Sequence, residues 1–280
     1  EERAQDLVVQ ATSRLRGEGF DRKLSGREQK ALQEMALELV AYPELCGSYH
    51  KKAGREIEAQ VKIVDSHSAV GAGRNEINQA LLGLIAGAQE RIRIQTPYYV
   101  LTDPVIDALQ KAGERGVDIQ IATNSPSNTD SFFTQVFFLN DWKKSLATIP
   151  NLDLYAATGE RKHHAKMALF DEDVAVVGTY NLDLVSAEVN GEVGAVMWSK
   201  EMVKEVDRSM DQDFSDPTLG FVQYEIARNP AGQAVDAAGN RVLDDQGNLI
   251  GEPQRVFGPE EHVDPEVLAK YDKKIRRWNW

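Results

Sequence analysis

The stretch that decides the fold is residues 163–192, which read HHAKMALFDEDVAVVGTYNLDLVSAEVNGE. Two apolar runs, 167–170 and 174–177, are separated by three acidic residues, a pattern typical of two strands joined by a tight turn. Imidazole, ammonium, hydroxyl, amide and carboxylate side chains lie around these runs. The strand-and-turn pattern could therefore gather five kinds of reactive group around one point.

The polar residues of this stretch have a spacing that suits phosphate chemistry. His164 and Lys166 are two apart, so on a strand they point to the same face. Gly178 then permits a tight turn that brings Thr179 and Asn181 back toward that face. An imidazole, an ammonium, a hydroxyl and an amide can grip phosphate oxygens while the imidazole attacks or protonates. We predict a phosphoryl-transfer site with His164, Lys166 and Asn181 as catalytic residues, and Lys166, Thr179 and Asn181 as phosphate ligands.

Glu192 is the predicted fourth catalytic residue. A carboxylate bonded to one imidazole nitrogen fixes the tautomer, leaves the other nitrogen free and stabilises the imidazolium. Taken singly, each of these residues has a structural interpretation: an exposed histidine, a solvated lysine or an asparagine in a turn. Those separate interpretations do not predict all of the groups together at this spacing.

At these residues the sequence resembles the phospholipase D superfamily. Its motif is H-x-K-x4-D, followed after six residues by G-[ST]-x-N and then by a downstream acid. The motif positions are filled without an insertion by His164, Lys166, Asp171, Gly178, Thr179 and Asn181, with Glu192 as the acid. The register selects His164 rather than His163. The resemblance implies structural roles for Asp171 and Gly178.

The resemblance extends over residues 61–210 and is to the second half of bacterial cardiolipin synthase-like members. It includes 95–100 and 123–125 with Asp130, and it implies substrate contacts for Tyr99, Asn124 and Ser125. It also implies a mixed sheet between helices, a covalent phosphohistidine resolved by water or an alcohol, and no metal or cofactor. One departure lies at 184–186, which read Leu-Val-Ser where those members often carry Arg.

Sites of this superfamily use two facing copies of the motif, one histidine attacking and the other protonating the leaving group. We find one copy in this sequence: His50 lacks the spacing, and His67 and His262 have no partner lysine. The second motif is expected either from a second subunit or from an N-terminal half that precedes this chain. The start without Met and the helical first sixty residues favour the second origin. His164 would then be the general acid, whereas in a homodimer it would take both roles.

The rest of the sequence suggests three segments. Residues 1–60 are predicted to be helical, with a capping box at Ser25 and Glu28, and resemble the tail of a preceding domain. Residues 61–215 alternate strands and helices, which predicts an α/β catalytic domain with a mixed β-sheet flanked by helices on both faces. Its aromatic helix, 132–142, is expected to be capped by Thr129 or Asp130 and to pack in the core. Residues 216–280 form a predicted loop-rich extension with one or two hairpins at the turn signals 238–240 and 246–248.

Composition narrows the function classes. A chain of 280 residues with one cysteine and a net charge of −12 has no internal disulfide framework and is poorly suited to non-specific nucleic-acid binding. No apolar run approaches the roughly 18 residues that span a bilayer. The cations and indoles of 273–280 suit peripheral membrane contact, although a surface tail packed on the protein is the preferred interpretation.

The sequence therefore predicts a bacterial phosphodiesterase or phosphatidyltransferase acting on phospholipids, in its sharpest form cardiolipin synthase-like, and leaves its compartment open. Two alternatives remain open. One is a single-motif, homodimeric, metal-independent nuclease of the same superfamily, and the other is a non-catalytic scaffold half.

Overall fold

The structure is a computed structural model that describes residues 56–66, 75–129 and 131–278, together with 25–27, 29–31, 33–34 and 36–37; its side chains are described to 275. The chain divides into two compact units, residues 1–57 and 58–280. In the first unit, the described residues from 26 to 37 are helical. Expectations for residues 1–24, Glu28, Cys46, His50, His67 and Asp130 lie outside the described residues.

The second unit is built on a mixed sheet that has nine strands in the described part of the chain, in the order β1-β7-β6-β5-β2-β3-β4-β8-β9. β2, β3 and β4 are parallel neighbours, and the other pairings are antiparallel. The strands are β1 Gln60–Ser66, β2 Arg91–Gln95, β3 Asp118–Asn124, β4 Leu152–Ala157, β5 Met167–Phe170, β6 Val174–Gly178, β7 Glu192–Trp198, β8 Phe221–Ile226 and β9 Arg255–Phe257.

Helices cover both faces of this sheet, which confirms the predicted fold class. They are α1 Glu76–Gly87, α2 Asp103–Glu114, α3 Phe132–Thr148, α4 Leu184–Glu188, α5 Lys200–Ser215 and α6 Pro265–Trp278. One face carries the larger core, in which Ile77 of α1, Leu109 of α2 and Phe138 of α3 are buried with the sheet. On the opposite face, Val203 and Met210 of α5 pack against β5 and β6.

Helix α1 shows how local sequence sets these elements. The Asn75 side chain accepts a hydrogen bond from the backbone N–H of Asn78 at 2.8 Å, which satisfies one of the free donors of the first turn. Ile77, Leu81 and Ile85 recur at four-residue intervals, so they form one apolar stripe, and all three are buried. Each contributes about 1.5–3 kcal/mol of hydrophobic stabilisation.

The aromatic helix departs from expectation at its start. It begins at Phe132 with Ser131 in the capping position, so the prediction of a Thr129 cap was wrong. The Thr129 hydroxyl instead accepts the N–H of Ser131 in a local turn ahead of the helix. Phe138 and Trp142 lie in the core as expected. The remaining phenylalanines, Phe132, Phe133 and Phe137, are each more than a third exposed.

The segment after residue 216 shares the same sheet, because β8 pairs antiparallel with β4. Beyond it, two predicted turns are present, closed by isolated bridges at Val235–Arg241 and Leu243–Leu249. In the first, the Asp236 carboxylate accepts the N–H groups of Ala238 and Asn240. No helix in the described ranges is both long and apolar enough to cross a membrane.

Candidate functional site

The predicted site lies where β5, β6 and β7 run side by side at one end of the sheet. β5 and β6 form the hairpin expected from the sequence, and their pairing places Met167 opposite Val177. One step further, the N–H of Gly178 donates to the carbonyl oxygen of Lys166 at 3.2 Å. The motif lysine and the motif glycine are therefore held together by the backbone.

His164 and Lys166 are in direct contact. The Lys166 Nζ lies 3.2 Å from Nδ1 and 3.4 Å from Nε2 of the His164 ring, and 3.1 Å from the His164 carbonyl oxygen. An ammonium only donates, so it can bond whichever ring nitrogen carries no proton. His164 is exposed to solvent and Lys166 is half-buried. An imidazole and a fixed cation thus stand together where a substrate phosphate can reach both.

His163, the neighbouring histidine, is buried and holds the backbone in place. Its N–H donates to Asn124 Oδ1 at 2.9 Å, and Asn124 Nδ2 donates back to its carbonyl oxygen at 2.8 Å. Its ring Nε2 lies 3.2 Å from Gln95 Oε1. Burial, followed by the positive charges of Lys166 and Arg161, lowers the pKa of His163 to about 4. A neutral, clamped His163 fixes the backbone from which His164 projects.

This burial predicts a pH dependence of stability. The unfolded chain takes up a proton on His163 below about pH 6.5, but the folded chain does so only near pH 4, so stability falls as the pH drops through that window. We expect His163→Gln to remove about 3 kcal/mol of this loss, because a glutamine amide can still donate to Gln95 without titrating. Urea unfolding between pH 7.5 and 4.5 measures the difference. His164→Gln is the matched control at an exposed position, and equal pH dependence in all three proteins would contradict the prediction.

Glu192 is the centre of a second group of contacts. Its carboxylate accepts hydrogen bonds from the Thr179 hydroxyl, from the Ser186 hydroxyl at 3.0 Å and from Asn190 Nδ2 at 3.1 Å. Its own N–H donates to the Ser66 hydroxyl at 3.1 Å. Glu192 is buried, and three donors satisfy its charge. The carboxylate therefore ties the start of β7 to the loop after β6.

The expected hydrogen bond between Glu192 and His164 is absent from the described residues. The reason lies in the strand order: β6 separates β7, which begins at Glu192, from β5, which follows His164. Two strand spacings put the backbones about 9–10 Å apart. Within this chain, Glu192 acts on the loop that carries Thr179 and Asn181 instead of on the His164 ring.

Asn181 is positioned by a residue that the sequence analysis missed. The backbone N–H and Nδ2 of Asn181 both donate to the Ser186 hydroxyl at 3.2 Å, and that hydroxyl donates onward to Glu192. Ser186 is fully buried at the start of α4, where its N–H donates to the carboxylate of Asp183 at 2.6 Å. The available signal was Asp183 three residues before Ser186, a helix-capping spacing. Asn181 Oδ1 is buried and has no hydrogen-bond partner among the described residues.

Asp171 occupies a structural position at the turn between β5 and β6. Its φ of 52° is in the left-handed region, and its carboxylate accepts the N–H groups of Gln89, Glu90 and Arg91. Burial alone raises the pKa of Asp171, but these donors outweigh it and hold the pKa below its usual value. The carboxylate thereby ties the motif turn to the loop between α1 and β2.

Gly178 is required for a reason other than a tight turn. A Cβ at this position would fall inside the contact distance of the Val193 carbonyl oxygen on β7. Only glycine lets β6 approach β7 this closely, and this approach places Thr179 next to Glu192. Thr179 adds a hydrogen bond between the loop after β6 and strand β7, since its hydroxyl accepts the N–H of Val193 at 3.0 Å.

The three expected substrate contacts lie inside the protein. Tyr99 is 1% exposed and packs edge-to-face on Phe138 in the core. Asn124 is buried, and its amide is used by the backbones of Pro97 and His163. Ser125 is buried in a turn with its hydroxyl 2.7 Å from that of Ser127. The structure therefore corrects the prediction: Tyr99, Asn124 and Ser125 support the site from within.

The sequence comparisons agree with this geometry. Residues 81–214 match a family model described as the PLD-like domain of cardiolipin synthase. These matches support a member of the phospholipase D superfamily. Within that superfamily it is cardiolipin synthase-like in sequence.

Two relatives illustrate the extent of the match. Cardiolipin synthase 1 of Bacillus anthracis is 29% identical over 171 residues, which covers 59% of this chain and 32% of the relative. Cardiolipin synthase 2 of Bacillus cereus is 31% identical over 144 residues, which covers 50% of this chain and 26% of the relative. The chain thus spans about a third of the length of the curated relatives that it matches.

A solved structure supports the fold. The crystal structure of phosphatidylserine synthase from Haemophilus influenzae aligns with a TM-score of 0.50 and 14% sequence identity. The alignment covers 72% of this chain and 48% of that protein. At this identity the likeness concerns the fold alone, the mixed sheet between helices.

Proposed function

We propose that this chain carries one half of a phospholipase D-type site that cleaves a phospholipid and transfers the phosphatidyl group through a phosphohistidine. The observation that carries the proposal is the direct contact of His164 with Lys166 at an exposed sheet end, on a backbone clamped through His163. Similarity to cardiolipin synthases supports the phospholipid as substrate and an alcohol as acceptor.

The chemistry proceeds in two balanced steps. In the first, an unprotonated imidazole nitrogen attacks phosphorus and the phosphorus–oxygen bond to the leaving alcohol breaks, while an opposing imidazolium gives that oxygen a proton. In the second, the acceptor hydroxyl gives its proton back to the opposing imidazole and attacks phosphorus, which releases the first imidazole. Lys166 holds the negative oxygens in both steps. Asn181 and Thr179 shape the adjacent loop, since the Asn181 amide donates to Ser186 and the Thr179 hydroxyl donates to Glu192.

The opposing imidazole belongs to a second motif, from a second subunit or an N-terminal half. Its place is next to the loop after β6, where apolar side chains surround the site without being buried. Leu184 and Val185 of α4 are 52% and 48% exposed, and Val177 and Val193 on the sheet are 36% and 47% exposed. Exposed apolar groups this close to the motif suit contact with a second half. In a homodimer His164 of one subunit is the nucleophile and His164 of the other is the acid, whereas with a separate half His164 is the acid.

The substrate class is tested on the protein purified from its native host, which brings this chain together with the source of the second motif. With phosphatidylglycerol vesicles, deuterated glycerol and excess chelator, we expect deuterated phosphatidyl product. Single-stranded DNA offered under the same conditions should remain intact. Cleavage of DNA without lipid turnover would favour the nuclease alternative, and inactivity on both would favour the scaffold.

A further inference from the structure

A long apolar cavity begins at the motif lysine and runs beneath the sheet end. The space inside it that is open to the centre of a water-sized sphere is about 50 Å³, and the cavity lies between α1 and the sheet face opposite α5. Its walls are apolar on both sides, with Ile77, Ala80 and Leu84 from α1 and Ala168 and Val176 from the sheet. We call this space the α1 slot.

The shape of the α1 slot follows from the strands that line it. Its sheet wall takes residues from β1, β7, β6, β5 and β2, which are five neighbouring strands. Four strand spacings correspond to about 19 Å, which is the extent of this sheet wall. Small side chains keep it open: Ala80, Ala168 and Gly194 all line it, and a Cβ at Gly194 would meet only ordinary contacts, with Val64 at 3.5 Å.

Polar groups are confined to the end next to the motif. Of the lining residues, all in the described part of the chain, those with polar side-chain atoms are Gln95, Thr96, Lys166 and Tyr180. Gln95 is used by His163, and the Thr96 hydroxyl is used by Tyr98 and Leu182. A sugar or a base would find too few partners in the interior, because buried polar groups need hydrogen bonds.

Lys166 connects the α1 slot to the chemistry. The same side chain lines the slot and contacts His164, and it is half-buried, so it borders the opening. A ligand that fits has an anionic group at Lys166 and an unbranched apolar tail behind it. A phospholipid has this arrangement, with its phosphate joined through glycerol to an acyl chain.

We propose that the α1 slot holds one acyl chain of the phospholipid while its phosphate lies between His164 and Lys166. This inference rests on the proposed function, since it names the part of the substrate that the chain recognises. Length and lack of polar partners favour an acyl chain over a ring. Each methylene that enters the slot should tighten binding, by up to about fourfold.

The test uses soluble alkyl monophosphates with four to ten carbons, kept below their micelle concentration, and calorimetric titration of the full chain. We expect the wild-type Kd to fall steadily with chain length. In Ala80→Leu and Ala80→Phe the dependence should flatten progressively, because the added side chain fills the slot, while butyl phosphate binds as before. Ala86→Phe places the same ring on the exposed side of α1 and should match the wild type.

A wild-type affinity that is independent of chain length would overturn the proposal, even if Ala80→Phe fails to fold. Equal chain-length dependence in folded Ala80→Phe and Ala86→Phe would overturn it as well. The outcome is separable from the proposed function. Length-dependent binding without lipid turnover would support the acyl-chain slot and contradict phosphatidyl transfer. Lipid turnover combined with no effect of the Ala80 substitutions on chain-length dependence would support transfer and contradict the slot.

Discussion

Replacing His164 with asparagine is expected to reduce phosphatidyl transfer by about 10⁴-fold, with little change in stability. In the proposed mechanism the imidazole supplies either the attacking nitrogen or the proton for the leaving group, and an amide can do neither. The ring is exposed and makes no buried contact, so the fold should not depend on it. Initial rates of the native-host protein and its variant, measured under chelator, give the ratio.

The matched control for this variant is Lys162→Ala, which removes an exposed cation two residues before His164. It should keep transfer within about twofold of the wild type, since surface charges have small effects on a site that they do not contact. Comparable losses in both variants would point to a general charge effect. Full activity in His164→Asn would remove this histidine from the mechanism.

Gly178→Ala is expected to lower the free energy of unfolding by about 3 kcal/mol, the upper part of the usual range for an overpacked site. The new methyl group would meet the carbonyl oxygen of Val193. Because Gly178 and Val193 lie in the paired strands β6 and β7, neither side of this contact can move without moving the backbone. Relief requires β6 and β7 to separate, which moves Thr179 away from Glu192. A displacement near 1 Å should also cost about 100-fold in transfer rate.

Gly194→Ala is the matched control for this effect. Gly194 lies directly opposite Gly178 in the β6–β7 pairing, yet its new Cβ would find only ordinary contacts. Urea unfolding should therefore place Gly194→Ala within about 0.5 kcal/mol of the wild type. Equal stability of the two variants would show that the close approach of these strands is not what requires the glycine.

Local patterns were enough to predict most of the framework. The β5–β6 hairpin follows from two short apolar runs around an acidic turn, and α1 follows from an asparagine cap with a regular apolar stripe. The mixed sheet with helices on both faces followed from alternating elements and from the family resemblance. These features depend on residues close together in sequence, which is where periodicity is informative.

The partners of Glu192 could not be predicted in the same way. The sequence alone does not show whether Glu192 lies next to Thr179 or next to His164. The strand order shows that β6 lies between Glu192 and His164. The helix-capping spacing of Asp183 and Ser186 indicates a helix start, but it does not reveal that the Ser186 hydroxyl turns back to Glu192. Its role as the link between Asn181 and Glu192 depends on how the loop after β6 folds back.

The burial of Tyr99, Asn124 and Ser125 is the reason that the prediction of substrate contacts for them was corrected. Tyr99 follows a strand end, the usual place for a ligand contact, but α3 packs Phe138 against it from 39 residues further along the chain. Asn124 and Ser125 likewise end a strand and turn inward, where Asn124 clamps His163. A sequence shows that such residues are polar and adjacent to a strand end, whereas long-range packing decides which way they point.

The measurement that most directly tests the central claim is the stereochemical course at phosphorus during transfer. A substrate made chiral at phosphorus with sulfur and oxygen isotopes would be converted by the native-host protein, and the configuration of the product determined. Each in-line displacement inverts the centre, so a phosphohistidine intermediate, with two displacements, predicts overall retention. Overall inversion would mean a single direct displacement and would contradict the account.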